Sequence, residues 1–236
     1  HFARDQFVAA APAGSFTVAM TTGTIRDTED EARRAITRTP WKNAHMAINI
    51  TGDPAADKVL TDDPFALLAG MLLDQHYPME HAFRGPAKVL ARFGSLDPAK
   101  IAAADPQEFA DLCATTPAVH RFPGSMAARL QALAALVVEE YDGDTARLWN
   151  EAGSGKELLK RIQACPGFGK QKAQIFVALL AKQVGVRPVG WEAAAGDYAL
   201  PGRRSVADVV DEISLNEVRD HKKQVKAAAK AAGSKG

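Results

Sequence analysis

The feature that most constrains this chain is a tight corner, Pro166-Gly167-Phe168-Gly169, between two runs of helical periodicity. The runs Glu157 to Ala164 and Lys170 to Lys182 both repeat apolar residues at helical spacing. The proline cannot continue the first helix, and the two glycines tolerate positive φ or the close approach of another backbone. Phe168 is the one large apolar residue of the corner, so we expect it to fix the turn to the core. The sequence therefore predicts a helical hairpin over residues 156–183.

The corner is also expected to bind an anion. Unpaired backbone N–H groups and the positive end of the helix dipole meet at the start of the second helix. Lys170 and Lys172 add formal positive charge at the same place. A phosphate of a nucleic-acid backbone is the natural ligand, although purely structural helix corners also use proline and glycine.

The hairpin resembles the helix-hairpin-helix of the HhH-GPD superfamily of base-excision DNA glycosylases. The family motif is a leucine or similar residue, Pro-Gly-apolar-Gly, a basic residue, and an alanine that packs the second helix closely. The matching residues are Pro166, Gly167, Phe168, Gly169, Lys170 and Ala173, with Cys165 at the leucine position. The resemblance implies an all-α fold of endonuclease III type, with two helical halves flanking a DNA cleft. It implies DNA binding by Gly167, Phe168, Gly169, Lys170 and Lys172.

A second match lies earlier in the chain. Asp63-Pro64 is typical of a helix start, and the run that follows is apolar almost all round, which predicts a helix in the centre of the fold. In the family, a buried helix of this kind ends in glutamines whose side chains reach the DNA near the lesion. Gln75 matches the first glutamine, and His76 stands where many relatives have a second. The alternative for both is helix capping and a solvent-facing loop.

Further helices are expected in the order that the superfamily shows, from about Asp63 to Gln183. They are Met79 to Phe93 with an interruption at Gly85-Pro86, two short helices capped by Asp97 and Asp105, Ser125 to Tyr141, and Thr145 to Glu151. His120 and Arg121 precede the long helix and are either phosphate contacts or ordinary surface residues.

Composition limits the class of protein. The chain has 236 residues, 29 Lys and Arg against 28 Asp and Glu, so net charge alone gives no nucleic-acid signal. Its two cysteines, Cys113 and Cys165, predict a reducing compartment and are too few for the four-cysteine iron–sulfur cluster of some relatives. No apolar run approaches membrane-spanning length. We expect a monomeric, cytoplasmic protein without metal or cofactor, associated with the nucleoid when it binds double-stranded DNA.

The two ends of the chain differ in composition from its centre. Residues 1–45 are rich in Ala, Gly and Thr, then charged, and are expected to be a loosely attached extension with a short helix at Asp27 to Thr37. The domain is expected to cover residues 46–221. Residues 222–236 form a basic tail, which either adds salt-sensitive DNA affinity or is a solvated helix.

The catalytic residues are harder to predict. Active family members place an Asp just beyond the hairpin, where a carboxylate stabilises the positive charge that develops on the sugar. The corresponding stretch, Gly185 to Glu192, contains no Asp, which leaves Glu192, Asp197 and Asp74 as candidates. Trp191 either stacks on an extruded base or packs the end of the domain.

The lysine nucleophile of lyase-active relatives falls at Gln171 by register, so the resemblance implies no efficient lyase. The leading hypothesis is a monofunctional glycosylase that flips a damaged or modified base and hydrolyses its N-glycosidic bond. The contrasting hypothesis is a non-catalytic protein of the same fold that recognises damaged or distorted DNA. A third is a helical protein–protein module that does not touch DNA.

Overall fold

The computed structural model describes residues 47–202 and 204–233, and within them every regular element is helical. The helices are α1 (Pro54–Asp62), α2 (Pro64–Leu73), α3 (Met79–Phe83), α4 (Gly85–Phe93), α5 (Pro98–Ala103), α6 (Pro106–Ala114), α7 (Pro123–Tyr141), α8 (Arg147–Asn150), α9 (Gly155–Ala164), α10 (Lys170–Leu179), α11 (Trp191–Ala195) and α12 (Glu212–Gly233). The helix expected at Asp27 to Thr37 and the rest of the 1–45 extension lie outside the described residues. The all-α prediction is confirmed.

Asp-Pro pairs set the start of several helices. Asp63, Asp97 and Asp105 each accept a backbone N–H of the first turn, and a proline follows each of them. The carboxylate satisfies an N–H that has no partner inside the helix, and the proline has no N–H to satisfy. These three predicted helix starts are confirmed.

Helix α2 is the centre of the first half of the fold. Every residue from Phe65 to Leu73 is buried, as the all-round apolar pattern predicted. The helix packs against α1, α3, α4 and α7. Gly70 permits the closest of these contacts, because a Cβ there would lie 2.7 Å from a ring carbon of Phe83.

The hairpin, α9 and α10, organises the second half. Helix α10 continues into one π-helical stretch, Leu180–Val184, and α11 packs against both hairpin helices. Trp149 of α8 and Phe168 of the corner both meet Phe176 edge-on, with ring centroids 6.0 Å apart in each case. Phe168 is only 5% exposed, which confirms that it fixes the corner to the core. One hydrophobic cluster includes residues of both halves.

The predicted interruption at Gly85-Pro86 is confirmed, since the segment from Met79 to Phe93 is two helices that meet at Arg84, where Gly85 and Pro86 begin a new helix. Two other boundaries differ from those predicted. Helix α7 begins at Pro123, and α8 is shorter than expected.

Helix α12 continues from the domain into the predicted basic tail. Leu215 and Val218 are buried, and Arg219 pairs with Glu80 of α3, whereas the residues that follow Arg219 are mostly exposed. The helix continues past residue 222, where the basic tail was expected to start, so the described part of that tail is a helical extension of the domain. No helix in the described part of the chain is long and apolar enough to cross a membrane.

Candidate nucleic-acid interface

An open groove of about 930 Å³ lies where the hairpin corner meets the end of α2. We call it the hairpin groove. It is lined by the corner, by Gln163 and Cys165, by Lys170, Gln171 and Lys172, by Gln75 and His76, and by Arg129 of α7. Three cationic side chains and no carboxylate are among these lining residues. The groove therefore presents a positive surface to solvent.

The fold requires glycine at one of the two corner positions and not at the other. Gly167 has φ of +80°, and a Cβ there would lie 2.8 Å from Cδ1 of Leu72, so the fold itself demands glycine. Gly169 has φ of −74°, and a Cβ there would meet nothing within 4 Å. The fold does not demand a glycine at Gly169, and the space above it is open to a partner.

Gly169 is also the N-cap of α10, and no side chain caps this end of the helix. The first N–H groups of α10 therefore face the open space above Gly169 together with the exposed side chain of Lys170. This arrangement suits an anionic ligand such as a backbone phosphate. The neighbouring Phe168 supports the corner, because its ring is buried and its N–H donates to the Cys165 carbonyl at 3.1 Å. It also lines the groove, and its role in DNA binding stays a prediction.

Gln75 ties the two halves of the fold together at the groove. Its Nε2 donates to the carbonyl of Gly167 at 3.0 Å, and its Oε1 accepts a hydrogen bond from Nη1 of Arg129. Both polar atoms of the Gln75 amide are thus hydrogen-bonded within the protein. Arg129 was not among the predicted site residues, since one arginine on a long helix carries no signal in the sequence.

The loop that follows Gln75 rests on a buried histidine. His120 is 1% exposed; its Nδ1 accepts the N–H of Phe122 at 3.0 Å, which leaves Nε2–H to donate to the Gln75 carbonyl at 3.1 Å. Burial lowers the pKa of His120 and so favours this neutral form. His120 is therefore neither a phosphate contact nor a surface residue, and both predicted alternatives are wrong for it, because its buried ring supports the loop from inside the protein.

His76 lies on the outer side of the same loop and is contacted by Arg121 from the segment before α7. His76 is exposed and has φ of +51°, a left-handed conformation that is uncommon for a residue with a side chain. Its carbonyl accepts a hydrogen bond from Nη1 of Arg121 at 3.4 Å. Arg121 is exposed, so it remains available to a phosphate.

Phe122 is an exposed aromatic residue beside the groove. Its side chain is 49% exposed, and the guanidinium carbon of Arg121 lies 4.7 Å from the ring centroid. The sequence analysis missed this residue. A large apolar side chain directly before the helix-starting Pro123, in an otherwise polar segment, was the available signal.

Lys172 differs from Lys170 in its environment. Its Nζ donates to the Leu72 carbonyl at 2.9 Å and lies 5.7 Å from the centroid of Phe168. Burial lowers the pKa of Lys172 to about 8, the carboxylate of Asp74 opposes this shift, and the cation of Arg129 adds to it. Lys172 therefore closes the floor of the groove, while Lys170 projects from its rim.

The three candidate carboxylates lie in different places. Asp74 is partly buried at the end of α2, directly before Gln75, and interacts electrostatically with Lys172. Glu192 and Asp197 are exposed, and neither lines the hairpin groove. Trp191 is partly buried against the hydrophobic core and does not line the groove, which favours the packing interpretation. The structure thus brings Asp74 to the predicted DNA-binding residues and leaves the other three candidates outside that group.

The cysteines are both buried and free, Cys113 on α6 and Cys165 at the end of α9. Burial raises the pKa of the Cys165 thiol to about 12. Among the described residues, no three His, Cys, Asp or Glu side chains are grouped as the ligands of a metal ion would be.

Comparison with known families agrees with this geometry. A family model described as HhH-GPD superfamily base excision DNA repair protein matches residues 69–233, which include the end of α2, the whole hairpin and α12. Comparisons with curated proteins and with solved structures gave no match. The matched segment covers well over half of the chain and contains the hairpin groove, so this chain belongs to the HhH-GPD superfamily of base excision DNA repair proteins.

Proposed function

We propose that this protein is a monofunctional DNA glycosylase that binds duplex DNA in the hairpin groove, extrudes a damaged or modified base, and hydrolyses its N-glycosidic bond. The observation that carries the proposal is the start of α10. Uncapped N–H groups, the open space above Gly169 and the cationic rim residue Lys170 converge there. Each of these features is suited to one backbone phosphate.

Extrusion of a base requires something to take its place in the stack. Phe122 is suited to this role, because its exposed ring lies next to Arg121, which hydrogen-bonds the carbonyl of His76 in the loop after Gln75. Stacking of an aromatic side chain on a base stabilises the complex whatever the sequence, which offsets part of the cost of unstacking. Gln75 then acts by holding this loop against the hairpin, in place of direct insertion into the stack.

Hydrolysis requires a carboxylate near the sugar, where positive charge develops as the N-glycosidic bond breaks. Asp74 is the candidate that we favour, because it directly precedes the groove-lining Gln75 and interacts electrostatically with Lys172. It would stabilise this charge or help to activate water.

A lyase step is not part of the proposal. A lyase of this family needs an amine at the position of Gln171, and the amide of that residue cannot form a Schiff base. Lys172, one residue further, directs its ammonium group to the Leu72 carbonyl at the floor of the groove. Cleavage of the DNA strand should therefore require added alkali.

One observation favours the second candidate function, a non-catalytic protein that recognises damaged or distorted DNA. No carboxylate lines the hairpin groove itself, and Glu192 and Asp197 are exposed outside it. Binding of DNA by the start of α10 does not depend on a carboxylate. The two functions therefore share the interface and differ only in chemistry.

The test is incubation of the protein with duplex oligonucleotides that carry uracil, hypoxanthine, alkylated, oxidised or 5-substituted bases, followed by hot alkali. Strand cleavage only after alkali identifies a monofunctional glycosylase and its substrate. Asp74→Asn should abolish this cleavage and retain DNA binding. Glu139→Gln, which removes an exposed carboxylate from the far end of α7, is the matched control and should cleave like the parent protein.

The other outcomes separate the alternatives. Loss of cleavage in Glu192→Gln or Asp197→Asn, with Asp74→Asn active, assigns the carboxylate to the other side of the hairpin. Binding without cleavage of any substrate favours the non-catalytic function. A double variant, Gly169→Ala with Lys170→Glu, that binds DNA as well as the parent protein would exclude DNA recognition by the groove.

A further inference from the structure

A hydrogen-bonded pair outside the proposed chemistry lies at the edge of the hairpin groove, which one of its two members lines. Nε2 of Gln171 donates to the hydroxyl oxygen of Tyr198 at 2.8 Å. Gln171 belongs to the first turn of α10 and lines the groove, and Tyr198 belongs to the short 3₁₀ turn Gly196–Ala199 that follows α11. Gln171 is exposed, and Tyr198 is partly exposed. Tyr198 does not itself line the groove, but its hydroxyl lies within 2.8 Å of a side-chain atom of the groove-lining Gln171, so a ligand that contacts Gln171 comes close to it.

Each member of the pair keeps one unused hydrogen-bonding function. The tyrosine oxygen accepts from Gln171, and no described residue accepts the hydroxyl proton. The Oε1 atom of Gln171 has no donor among the described residues either. The pair therefore offers one donor and one acceptor side by side.

The charge around the pair supports this orientation of the amide. Lys170 and Lys172 flank Gln171 in sequence, and Arg129 lines the same groove. A positive surrounding favours the oxygen end of the amide dipole facing the groove and the NH₂ end turned away, towards Tyr198. The alternative orientation would place two amide hydrogens towards three cationic side chains.

An adjacent donor and acceptor match one edge of a nucleobase. Adenine and cytosine present a ring nitrogen that accepts a hydrogen bond beside an exocyclic amine that donates one. Hypoxanthine and uracil, their deaminated counterparts, present a ring N–H beside a carbonyl oxygen, so both contacts would be repulsive. A base that covers the pair excludes water from it, so a keto base would leave both polar groups without a partner, which is costly for a buried group.

We propose that Gln171 and Tyr198 form a base-reading pair that selects extruded bases of the amino class, adenine, cytosine and their derivatives with an intact amino group, over the keto class. The proposal rests on the proposed function in one respect, because it requires a base extruded into the hairpin groove. Tyr198 donates to the ring nitrogen, and Gln171 accepts from the exocyclic amine. The pair specifies the base and takes no part in bond cleavage.

The experiment measures binding by fluorescence anisotropy, so it does not depend on catalysis. Duplexes of one sequence carry adenine, hypoxanthine, cytosine or uracil at a central position opposite a tetrahydrofuran abasic analogue, where no base pair has to be broken. The parent protein should bind adenine about fivefold or more tightly than hypoxanthine, and cytosine more tightly than uracil by a similar factor, the lower range for a two-point edge contact.

Two variants assign that preference to the pair. Tyr198→Phe removes the hydroxyl and keeps the ring, and Gln171→Leu removes the amide and keeps the side-chain volume. Each should lower the ratio between amino and keto bases towards one. Gln163→Leu, an exposed glutamine that lines the same groove, is the matched control and should keep the parent ratio.

The outcomes separate this proposal from the function on which it rests. Equal or reversed affinities for the two classes overturn the base-reading pair while DNA binding stands. A uniform loss of affinity in Tyr198→Phe, with the ratio unchanged, also overturns it and indicates a phosphate contact. If the parent protein binds these duplexes no better than the variant carrying Gly169→Ala and Lys170→Glu, the groove does not bind DNA, and both proposals fail.

Discussion

The side-chain amide of Gln75 donates to the carbonyl of Gly167 at 3.0 Å, across 92 positions of sequence. This bond joins the end of α2 to the hairpin corner at Gly167, which has a left-handed conformation and lies close to Leu72. The loop after Gln75 and the hairpin corner, which we propose as DNA contacts, are thus fixed to each other by this side chain, in addition to the bond from Lys172 to the Leu72 carbonyl. The position of the loop and of the hairpin corner relative to a bound phosphate should then be sensitive to substitutions at residues that do not themselves contact DNA.

Gln75→Leu tests this relationship. It keeps the volume of the side chain and removes the bonds to Gly167 and Arg129, so we expect a loss of about 1 kcal/mol in the free energy of unfolding. Urea denaturation followed by circular dichroism measures the change. DNA affinity should fall as well, because the loop and the hairpin are no longer fixed to each other.

Gln163→Leu is the control for the same chemical change in the same groove, at an exposed position on α9. Its free energy of unfolding should match that of the parent protein. An equal loss of stability in both variants would show that Gln75 does not link the two halves.

The two glycines of the corner should respond to alanine in opposite ways. Gly167→Ala places a Cβ 2.8 Å from Leu72 at positive φ, so it should cost about 2 kcal/mol of stability. Gly169→Ala meets no atom within 4 Å, so its stability should change by less than about 1 kcal/mol. Its affinity for duplex DNA should fall about tenfold, as for loss of one charge-assisted hydrogen bond.

Thermal denaturation and fluorescence anisotropy on the same samples separate these effects. Unchanged DNA affinity in a folded Gly169→Ala variant would contradict the placement of a phosphate above the start of α10. Loss of stability at Gly169 would show that the fold requires this glycine too.

The features that could be predicted from the sequence are those set by residues close together in the chain. The Asp-Pro starts, the apolar run of α2 and the hairpin corner are local patterns, and the structure has all of them. The positions of the candidate site residues in the folded protein were harder to predict, because they depend on contacts between segments that are distant in the sequence. Arg129 meets Gln75 across 54 positions, and neither the burial of His120 nor the exposure of Phe122 follows from a short pattern.

The continuation of α12 through the expected tail boundary has a similar explanation. The lysines after Asp220 marked a change in composition, whereas Ala-rich and Lys-rich sequence also has high helix propensity, and the helix continues through it. A change of composition indicates exposure more reliably than it indicates the end of a helix.

Lys172 should give the stability of the protein a distinct dependence on pH. Burial lowers its pKa to about 8 in the folded protein, against about 10.4 in the unfolded chain. Between these values the unfolded chain binds more protons, so this group makes the free energy of unfolding rise with pH. Below about pH 8 both states are charged, and the full penalty of burying the ammonium group remains.

The difference in free energy of unfolding between the parent protein and Lys172→Met should therefore shift in favour of the parent between pH 8 and pH 10, by up to about 2 kcal/mol after allowance for screening. Other titrating groups cancel in this difference. Urea denaturation at several pH values measures it. A difference that does not change with pH would mean that Lys172 keeps an ordinary pKa in the folded protein.

The exposed half of α12 should contribute to DNA binding through charge alone. Three exposed lysines there share one side of the helix: Lys222, Lys223 and Lys226. Measured around the helix axis from the first of them, they lie at about 0°, 100° and 40° for 3.6 residues per turn, which is within one third of the circumference. Replacing all three by glutamine should reduce the slope of log K against log salt by about 0.9 for each phosphate that the lysines neutralise in the parent complex. Lys58→Gln with Lys100→Gln, exposed lysines of α1 and α5, is the control and should keep the parent slope. Equal slopes in the parent protein, the triple variant and the control would show that the lysines of α12 do not contact DNA and remain in solvent.

Phe122 should contribute through stacking and therefore behave differently from the lysines. The ring is 49% exposed, so Phe122→Ala should change the free energy of unfolding by less than about 1 kcal/mol. DNA affinity should fall about fivefold or more, the lower end of what one stacked base contributes. The slope against log salt should stay the same, because an uncharged ring neutralises no phosphate.

Val138→Ala removes a comparably exposed apolar side chain from the other end of α7 and serves as the control. Anisotropy titrations at several salt concentrations, on duplexes with and without a central abasic analogue, measure both quantities. For a stacking residue, the substitution weakens binding most on the duplex where a gap in the stack is already open to receive the ring. An equal reduction on both duplexes, or a changed salt slope, would instead place Phe122 against the sugar-phosphate backbone with its neighbour Arg121.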